Sequence, residues 1–324
     1  MRPPSPILYG CSGLTLTPDE QAFFRRAQPA GFILFKRNIA SRQQVQDLVA
    51  ALFACLAHPF RFVLIDQEGG RVARLGPPEW PARPAAEVFA TQAKIAPAAA
   101  RAACYASNAA MAQDLAALGI TVNCTPVLDL RIPGAHDIIG DRAYGETPEA
   151  VASLATEVIQ AHLDHGVLPV IKHIPGHGRA LADSHLSLPV VTTDSATLMA
   201  TDFAPFRHLN TAPWAMTAHI VYTAIDPDQP ATLSRPVIEQ VIRREIGFDG
   251  VLISDDLNMR ALTGGLAQNA VGCLAAGCDL GLHCSGILSE MLEIAAALPH
   301  IHPTSLERLD ASQAQRLTAH TSIV

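Results

Sequence analysis

The chain has 324 residues, 49% of them hydrophobic, and a formal net charge of −7 at pH 7. This composition provides enough apolar surface for a sizeable folded core and excludes extensive disorder. The mildly acidic balance, without runs of like charge, argues against partners such as nucleic acid or anionic membranes and favours a small-molecule ligand.

The cysteine content and the apolar segments predict the compartment. Seven cysteines occur without a Cys-x-x-Cys motif, so we expect reduced, buried thiols. No segment reaches the roughly eighteen apolar residues of a membrane span, and no run of signal-peptide length precedes Gly10. The sequence therefore predicts a cytoplasmic protein without a membrane anchor.

Short apolar strands alternate with helices from the beginning of the chain. Residues 7–9, 31–35 and 62–65 are apolar runs typical of buried strands. Between them, residues 17–20 and 41–44 have the spacing of capping boxes, in which a Ser or Thr side chain and a Glu or Gln three residues later bond to each other's backbone. Each box predicts the first turn of a helix.

The same alternation continues along the rest of the chain. Eight apolar strands separated by helical segments, without a composition shift, predict one α/β domain over residues 1–324, a (β/α)8 TIM-type barrel, better than an open doubly wound sheet. Neither a Gly-x-Gly-x-x-Gly nor a P-loop motif supports nucleotide binding. The further predicted strands are residues 120–123, 167–171, 214–217, 250–253 and 279–283, with a short run at 126–129, and the helices are 97–118, 147–165, 198–209 and 235–246.

Charged and imidazole side chains occur where predicted strands end. Strand ends meet on one face of a barrel, so we expect these side chains to converge there. Asp129 could also be a cap or a supporting partner, and His219 a hydrogen-bonded core histidine. A buried carboxylate without a use is costly, which favours functional roles for Asp66 and Asp255. The set comprises Asp66, Asp129, Lys172, His173, His219 and Asp255, with Arg142 as a candidate anchor in the long connection 131–146.

The densest group of titratable side chains lies in residues 172–185, KHIPGHGRALADSH. Its proline and glycines exclude a helix and predict a loop after the strand. Asp183 stands two residues before His185, a spacing that suits an orienting carboxylate and an acid/base imidazole. A metal site of His173, His177 and His185 is an alternative, but His-x-x-x-His binds metal mainly on a helix. We therefore predict no metal and no cofactor; an incidental polar surface loop is the remaining alternative.

Four motifs, in order, resemble those of the β-N-acetylhexosaminidases of glycoside hydrolase family 3. They are residues 66–74 (DQEGGRVAR), 139–144 (IGDRAY), 172–185 and 254–257 (SDDL), and the resemblance extends from about residue 7 to 284. Ile174 stands where Phe is usual. The resemblance implies a bacterial cytoplasmic enzyme of the cell-wall recycling type. Such an enzyme is a retaining exo-β-N-acetylglucosaminidase that removes terminal N-acetylglucosamine from peptidoglycan fragments, the GlcNAc-1,6-anhydro-muropeptides.

The resemblance also implies residue roles. Asp255 would be the nucleophile and His185 the general acid/base with Asp183 as its partner. The terminal sugar would be held by Asp66, Arg74, Arg142, Lys172 and His173. We expect these sugar-binding residues and Asp255 to line one pocket, while Gly176 and Gly178 allow the loop bearing His185 to swing. A phosphorylase of the same family, a metal-dependent barrel hydrolase and a non-catalytic sugar-binding barrel stay open as alternatives.

Overall fold

The computed structural model describes residues 3–180 and 188–321, so the predicted residues Asp183 and His185 lie outside the described part of the chain. Eight parallel strands close into a barrel in the order β1-β10-β9-β7-β5-β4-β3-β2, and β6 pairs with β8 in a separate small sheet. The predicted (β/α)8 barrel is confirmed. The strands are β1 (Ser5–Tyr9), β2 (Pro29–Leu34), β3 (Phe62–Ile65), β4 (Val122–Asn123), β5 (Leu168–Ile174), β6 (Val190–Val191), β7 (Trp214–Thr217), β8 (Val221–Tyr222), β9 (Val251–Asp256) and β10 (Leu280–His283).

Helices surround the barrel and connect its strands. A π-helix, Val237–Glu245, stands where the helix 235–246 was predicted. None of the helices in the described ranges is both long and apolar enough to cross a membrane. The α-helices are α1 (Pro18–Ala27), α2 (Arg42–Phe53), α3 (Ala86–Ala93), α4 (Pro97–Ala117), α5 (Pro148–Asp164), α6 (Ser195–Ala200), α7 (Ala204–His208), α8 (Leu266–Ala276), α9 (Leu288–Ala297) and α10 (Pro303–Thr321).

Of the two predicted capping boxes, one is complete and one is half formed. At α1, the Thr17 hydroxyl accepts from the Glu20 backbone N–H (3.1 Å), and the Glu20 carboxylate accepts from the Thr17 N–H (2.8 Å). At α2, the Ser41 hydroxyl accepts from the Gln44 N–H, but the Gln44 side-chain oxygen accepts from Ala40 instead of Ser41. The pattern located both helix starts, although the second box lacks its reciprocal bond.

Several predicted elements were wrong in their bounds or in their existence. The helix 198–209 is two short helices, α6 and α7, because the second begins with Pro205 in its first turn and a proline cannot continue the first. The run 126–129 is no strand and makes only an isolated bridge from Val127 to Lys172. Strand β5 continues beyond residue 171 to Ile174, so Lys172 and His173 belong to the strand itself.

The C-terminal helix α10 covers the N-terminal end of the barrel. Leu309 is fully buried in the apolar cluster that fills the barrel, together with Trp214 at the start of β7. The Trp214 indole N–H donates to Ser312 (2.5 Å), and Ser305 donates to Asp279, just before β10 (2.6 Å). With this end closed, the opposite end holds the polar strand ends.

Candidate active site

The polar strand ends surround one cavity of about 280 Å³. Asp66 follows β3, Lys172 and His173 lie in β5, and Asp255 lies in β9. The structure thus brings the predicted side chains together although they are up to 189 positions apart in sequence, the span from Asp66 to Asp255. The cavity wall includes all six predicted residues, Asp66, Arg74, Arg142, Lys172, His173 and Asp255, and also Glu68, which the sequence reasoning missed.

Five of these side chains form a continuous network of alternating charge, hereafter the charge network. Arg142 donates to Glu68 through Nε (2.8 Å) and Nη2 (2.9 Å). Lys172 Nζ lies 2.6 Å from Glu68 Oε1 and 3.0 Å from Asp66 Oδ1. Arg74 Nη2 then donates to Asp66 Oδ2 (3.0 Å). The order along the wall is therefore Arg142, Glu68, Lys172, Asp66 and Arg74.

The charge network is ionised at neutral pH. Burial by itself raises the pKa of Asp66, but Lys172 and Arg74 outweigh it and hold that pKa well below its ordinary value. Burial likewise opposes the ionisation of Glu68, yet Arg142 and Lys172 lower its pKa to about 2. The pKa of Lys172 is raised because Asp66 and Glu68 outweigh its desolvation. All three groups keep their charges because each is paired.

Donors remain in the charge network for a ligand. An ammonium has three N–H bonds, and among the described residues Lys172 uses two of them, on Asp66 and Glu68. The guanidinium-bearing residue Arg74 also lines the cavity. The wall therefore offers directed N–H donors beside carboxylate acceptors, the groups that hydroxyl-rich ligands require.

His173 is held by Asp129, which is fully buried. Asp129 Oδ2 lies 2.7 Å from His173 Nδ1, and Oδ1 accepts the backbone N–H of His177 (2.6 Å). Burial raises the pKa of Asp129, but His173 and His177 outweigh it and lower the pKa. Because Nδ1 is engaged by the carboxylate, the other nitrogen of His173 is the one oriented for a ligand. Asp129 is therefore a supporting partner of His173, one of the roles that the sequence left open for it.

Two adjacent acids at the end of β9 differ in environment. Burial raises the pKa of Asp255, but His219, His173, the backbone N–H of Asp256 and Lys172 outweigh it, so the pKa lies below its ordinary value. Asp256 has the opposite shift: burial and the Asp255 charge raise its pKa to about 6. The Asp256 carboxylate accepts the backbone N–H groups of Asn258 (3.2 Å) and Cys284 (3.1 Å). Asp255 is thus the stronger acid of the two, and the Asp256 carboxylate binds two backbone N–H groups.

His219 is a buried, hydrogen-bonded core residue. Its Nδ1 lies 2.7 Å from the Thr232 hydroxyl, and its Nε2 lies 3.0 Å from the backbone carbonyl of Asp256. Both ring nitrogens are therefore engaged in fixing the end of β9. The interpretation of His219 as a hydrogen-bonded core histidine is confirmed. It contributes to the site by supporting the backbone beside Asp255.

Two of the three histidines of the metal alternative, His173 and His177, lie among the described residues. In residues 3–180 and 188–321, no three His, Cys, Asp or Glu side chains are grouped to hold a metal ion. His173 Nδ1 is engaged by Asp129. Burial and the neighbouring His173 lower the pKa of His177 to about 4. His185, the third residue of that alternative, lies outside the described residues.

Gly176 and Gly178, which we expect to let the loop swing, pack closely against neighbouring backbone in the structure. A Cβ on Gly178 would overlap the backbone carbonyl of Leu130, and a Cβ on Gly176 would lie 2.8 Å from the carbonyl oxygen of Asp202. The Tyr222 hydroxyl also donates to the Gly176 carbonyl (2.6 Å). Close backbone packing therefore requires glycine at both positions. The swing of the loop bearing His185 stays a prediction, because that residue lies outside the described part of the chain.

Comparisons with known proteins show the family of the chain. The profile of the "Glycosyl hydrolase family 3 N terminal domain" matches residues 14–319. A β-hexosaminidase of Alkalilimnicola ehrlichii is 40% identical over 284 residues, which cover 86% of this chain and 80% of that protein.

Solved structures give the same result. NagZ from Neisseria gonorrhoeae, in complex with N-trifluoroacetyl-D-glucosamine, superposes with a TM-score of 0.88 at 31% identity over 98% of both chains. A glycoside hydrolase family 3 β-N-acetylglucosaminidase from Paenibacillus sp. str. FPU-7 has a TM-score of 0.84 at 34% identity, covering 96% of this chain and 61% of the other.

Proposed function

The chain belongs to glycoside hydrolase family 3, and from this premise we propose that it is a retaining exo-β-N-acetylglucosaminidase of the cytoplasm. Its substrates would be peptidoglycan fragments, the GlcNAc-1,6-anhydro-muropeptides, from which it removes the terminal N-acetylglucosamine. The substrate assignment extends the motif resemblance and the glucosamine-derived ligand of the Neisseria relative to this chain.

The observation that carries the proposal is the placement of an ionised Asp255 in the same cavity as the charge network. Sugar hydroxyls each donate and accept hydrogen bonds, so their recognition needs both kinds of group in fixed directions. The cavity of about 280 Å³ lies at the lower end of the roughly 300–1,000 Å³ typical of ligand pockets, which suits one terminal sugar. This combination supports binding of a single sugar with its anomeric carbon next to a carboxylate.

The chemistry would proceed in two displacements. The Asp255 carboxylate forms a bond to the anomeric carbon as the bond to the leaving oxygen breaks, and protonated His185 gives its proton to that oxygen. Neutral His185 then takes a proton from water as the water oxygen bonds to the same carbon and releases Asp255. Asp183 would orient His185 and favour its imidazolium form; both roles come from the family motif.

A chromogenic aryl β-N-acetylglucosaminide tests the proposal. We expect turnover in buffer, unchanged by EDTA, with the β-anomer of N-acetylglucosamine appearing first by NMR. Initial formation of the α-anomer would contradict retention. If added phosphate gave a sugar 1-phosphate as product, the enzyme would be the phosphorylase. Loss of activity on chelation would indicate the metal-dependent hydrolase. Binding of the glycoside without turnover would indicate the non-catalytic sugar-binding barrel.

A further inference from the structure

Glu68 lies between Arg142 and Lys172 in the charge network, and no role was assigned to it from the sequence. We propose that Glu68 is a positioning residue that fixes Lys172 and Arg142 in the orientation in which they bind the sugar. The inference rests on the proposed function of the cavity and adds a residue that acts through the two cations.

The contacts of the Glu68 carboxylate support this role. Its Oε1 accepts from Lys172 Nζ (2.6 Å) and from Arg142 Nη2 (2.9 Å), and its Oε2 accepts from Arg142 Nε (2.8 Å). The Arg142 guanidinium is therefore held by two parallel bonds, which fix the plane of the group as well as its position. The Glu68 side chain is only 6% exposed, so bulk water does not compete for these bonds.

Charge balance gives a second reason for a carboxylate at this position. Without Glu68, Lys172 would still pair with Asp66, whereas Arg142 would lose its paired carboxylate and keep its bond to the Ile138 carbonyl. Like charges in a buried site repel strongly, and each would move toward another acceptor. The three bonds to Glu68 hold the two cations close together, which allows both to reach one small ligand.

Glu68 is itself held on a rigid turn. Its backbone N–H donates to the Val72 carbonyl (2.9 Å), and the next residue, Gly69, has a positive φ of 98°. The side-chain oxygen of Gln67 accepts the backbone N–H groups of Arg74 (2.8 Å) and Leu75 (2.9 Å). The same turn thus places two members of the charge network, Glu68 and Arg74, on either side of the Lys172–Asp66 pair.

The test uses the isosteric variant Glu68→Gln. In this variant an NH2 group replaces one carboxylate oxygen, so its N–H donors would face the N–H donors of Lys172 or Arg142. These donors cannot bond to each other, so the side chains of Lys172 and Arg142 should be displaced. We expect KM for the aryl β-N-acetylglucosaminide to rise by about fivefold or more and kcat/KM to fall by roughly 100-fold, because both sugar contacts weaken. A KM below that threshold in the folded variant would overturn the proposal.

Asp279→Asn is the matched control. The Asp279 carboxylate is also buried and pairs with Arg243 (2.8 Å) and Arg308 (3.0 Å), but it lies at the opposite end of the barrel. A merely structural role lowers the melting temperature and the fraction of active enzyme, which changes the apparent kcat but not KM. The control should show that pattern, and Glu68→Gln should not.

A further variant and a crystal structure separate this inference from the proposed function. Glu68→Asp keeps the charge but is one methylene shorter, so its KM should lie between those of the wild type and Glu68→Gln. In a crystal structure of Glu68→Gln, the side chains of Lys172 and Arg142 should be displaced; unchanged positions would refute positioning by Glu68. An inactive wild type would refute the proposed function alone, since the displacement needs no substrate.

Discussion

At the scale of single residues, neighbouring charges give chemically identical carboxyl groups of the site different pKa values. Asp255 and Asp256 are chemically the same and adjacent, yet one has a lowered and the other a raised pKa. The difference arises because Asp255 has cationic neighbours, whereas Asp256 is desolvated next to the Asp255 charge. Such paired shifts are typical of active sites.

The first prediction concerns the nucleophile. Asp255→Asn should reduce kcat by roughly three to six powers of ten while the sugar still binds, because the group that attacks in the transition state is removed. Asp256→Asn, which keeps an oxygen for the two backbone N–H groups, should stay within about tenfold of the wild type. Steady-state kinetics and calorimetric binding of N-acetylglucosamine check this, and the opposite ranking would refute the assignment.

The second prediction concerns pH and stability. Asp256 has a pKa of about 6 in the folded state and an ordinary, lower value when unfolded. Between these values the folded state binds more protons, so this group makes the protein less stable as the pH rises. Asp256→Asn should match the wild type near pH 4 and exceed its free energy of unfolding by roughly 1–2 kcal/mol at pH 7. Urea denaturation at both pH values measures this, and a pH-independent difference would exclude it.

The third prediction concerns the acid/base. An activated phenolate leaves with little need of a proton, whereas a sugar alkoxide requires one. His185→Ala should therefore slow the glycosylation step much more for a natural disaccharide than for a nitrophenyl glycoside. Pre-steady-state rates for both substrates give the comparison. Equal losses on that step would remove His185 as the general acid.

At the scale of elements, the loop after β5 is held by packing against its neighbours. Gly178 contacts the Leu130 backbone, and Arg179 donates to the buried Asp202 carboxylate (2.6 Å) before α7. The long connection 131–146 joins the same assembly, because the His136 N–H donates to the Ala180 carbonyl (2.9 Å). These contacts connect the end of β5 to two neighbouring elements.

The fourth prediction follows from that packing. Gly178→Ala would place a methyl group against the Leu130 backbone, which cannot move as a side chain does. We expect a loss of roughly 1–3 kcal/mol of stability and a lower kcat, since the loop entering residues 181–187 would shift. Gly13→Ala, where an added Cβ meets no atom within 4 Å, is the control. Thermal melts and steady-state kinetics of both variants test this prediction. If Gly178→Ala had the stability and kcat of the wild type, the backbone at Leu130 would have shifted to accommodate the methyl group, and the prediction would be wrong.

At the scale of the whole molecule, the two ends of the barrel have separate functions. The C-terminal ends of the strands carry the charge network and Asp255, whereas α10 packs on the other end through Leu309, Ser312 and Ser305. Stability and activity should therefore respond to different substitutions, as expected for a barrel enzyme.

The fifth prediction tests that separation. Leu309→Ala leaves a cavity in the buried apolar cluster that fills the barrel. The substitution should cost roughly 2–5 kcal/mol of stability without changing KM. Leu292→Ala, at a position that is 43% exposed, should cost less than about 1 kcal/mol. Chemical denaturation and steady-state kinetics provide both readouts. A raised KM in folded Leu309→Ala would show that the two ends are coupled.

The sequence alone determined the barrel and much of its site. Apolar runs of strand length fixed eight strands, two of them, Phe62–Ile65 and Trp214–Thr217, with the predicted bounds, because burial on both faces selects continuous hydrophobic residues. Polar residues directly after such runs, including Asp66 and Asp255, had to meet at one end once the barrel closed. The expected cluster followed from local pattern and topology.

Only the tertiary structure decided which polar groups pair. Glu68 and Arg142 are 74 positions apart, and their bidentate contact depends on how two loops meet above the barrel. The lowered pKa of Asp255 and the packing of Gly178 on Leu130 likewise depend on residues from distant segments of the chain. Local sequence sets which segments are buried, but electrostatic and steric interactions act through space, so they became defined only when distant segments came into contact.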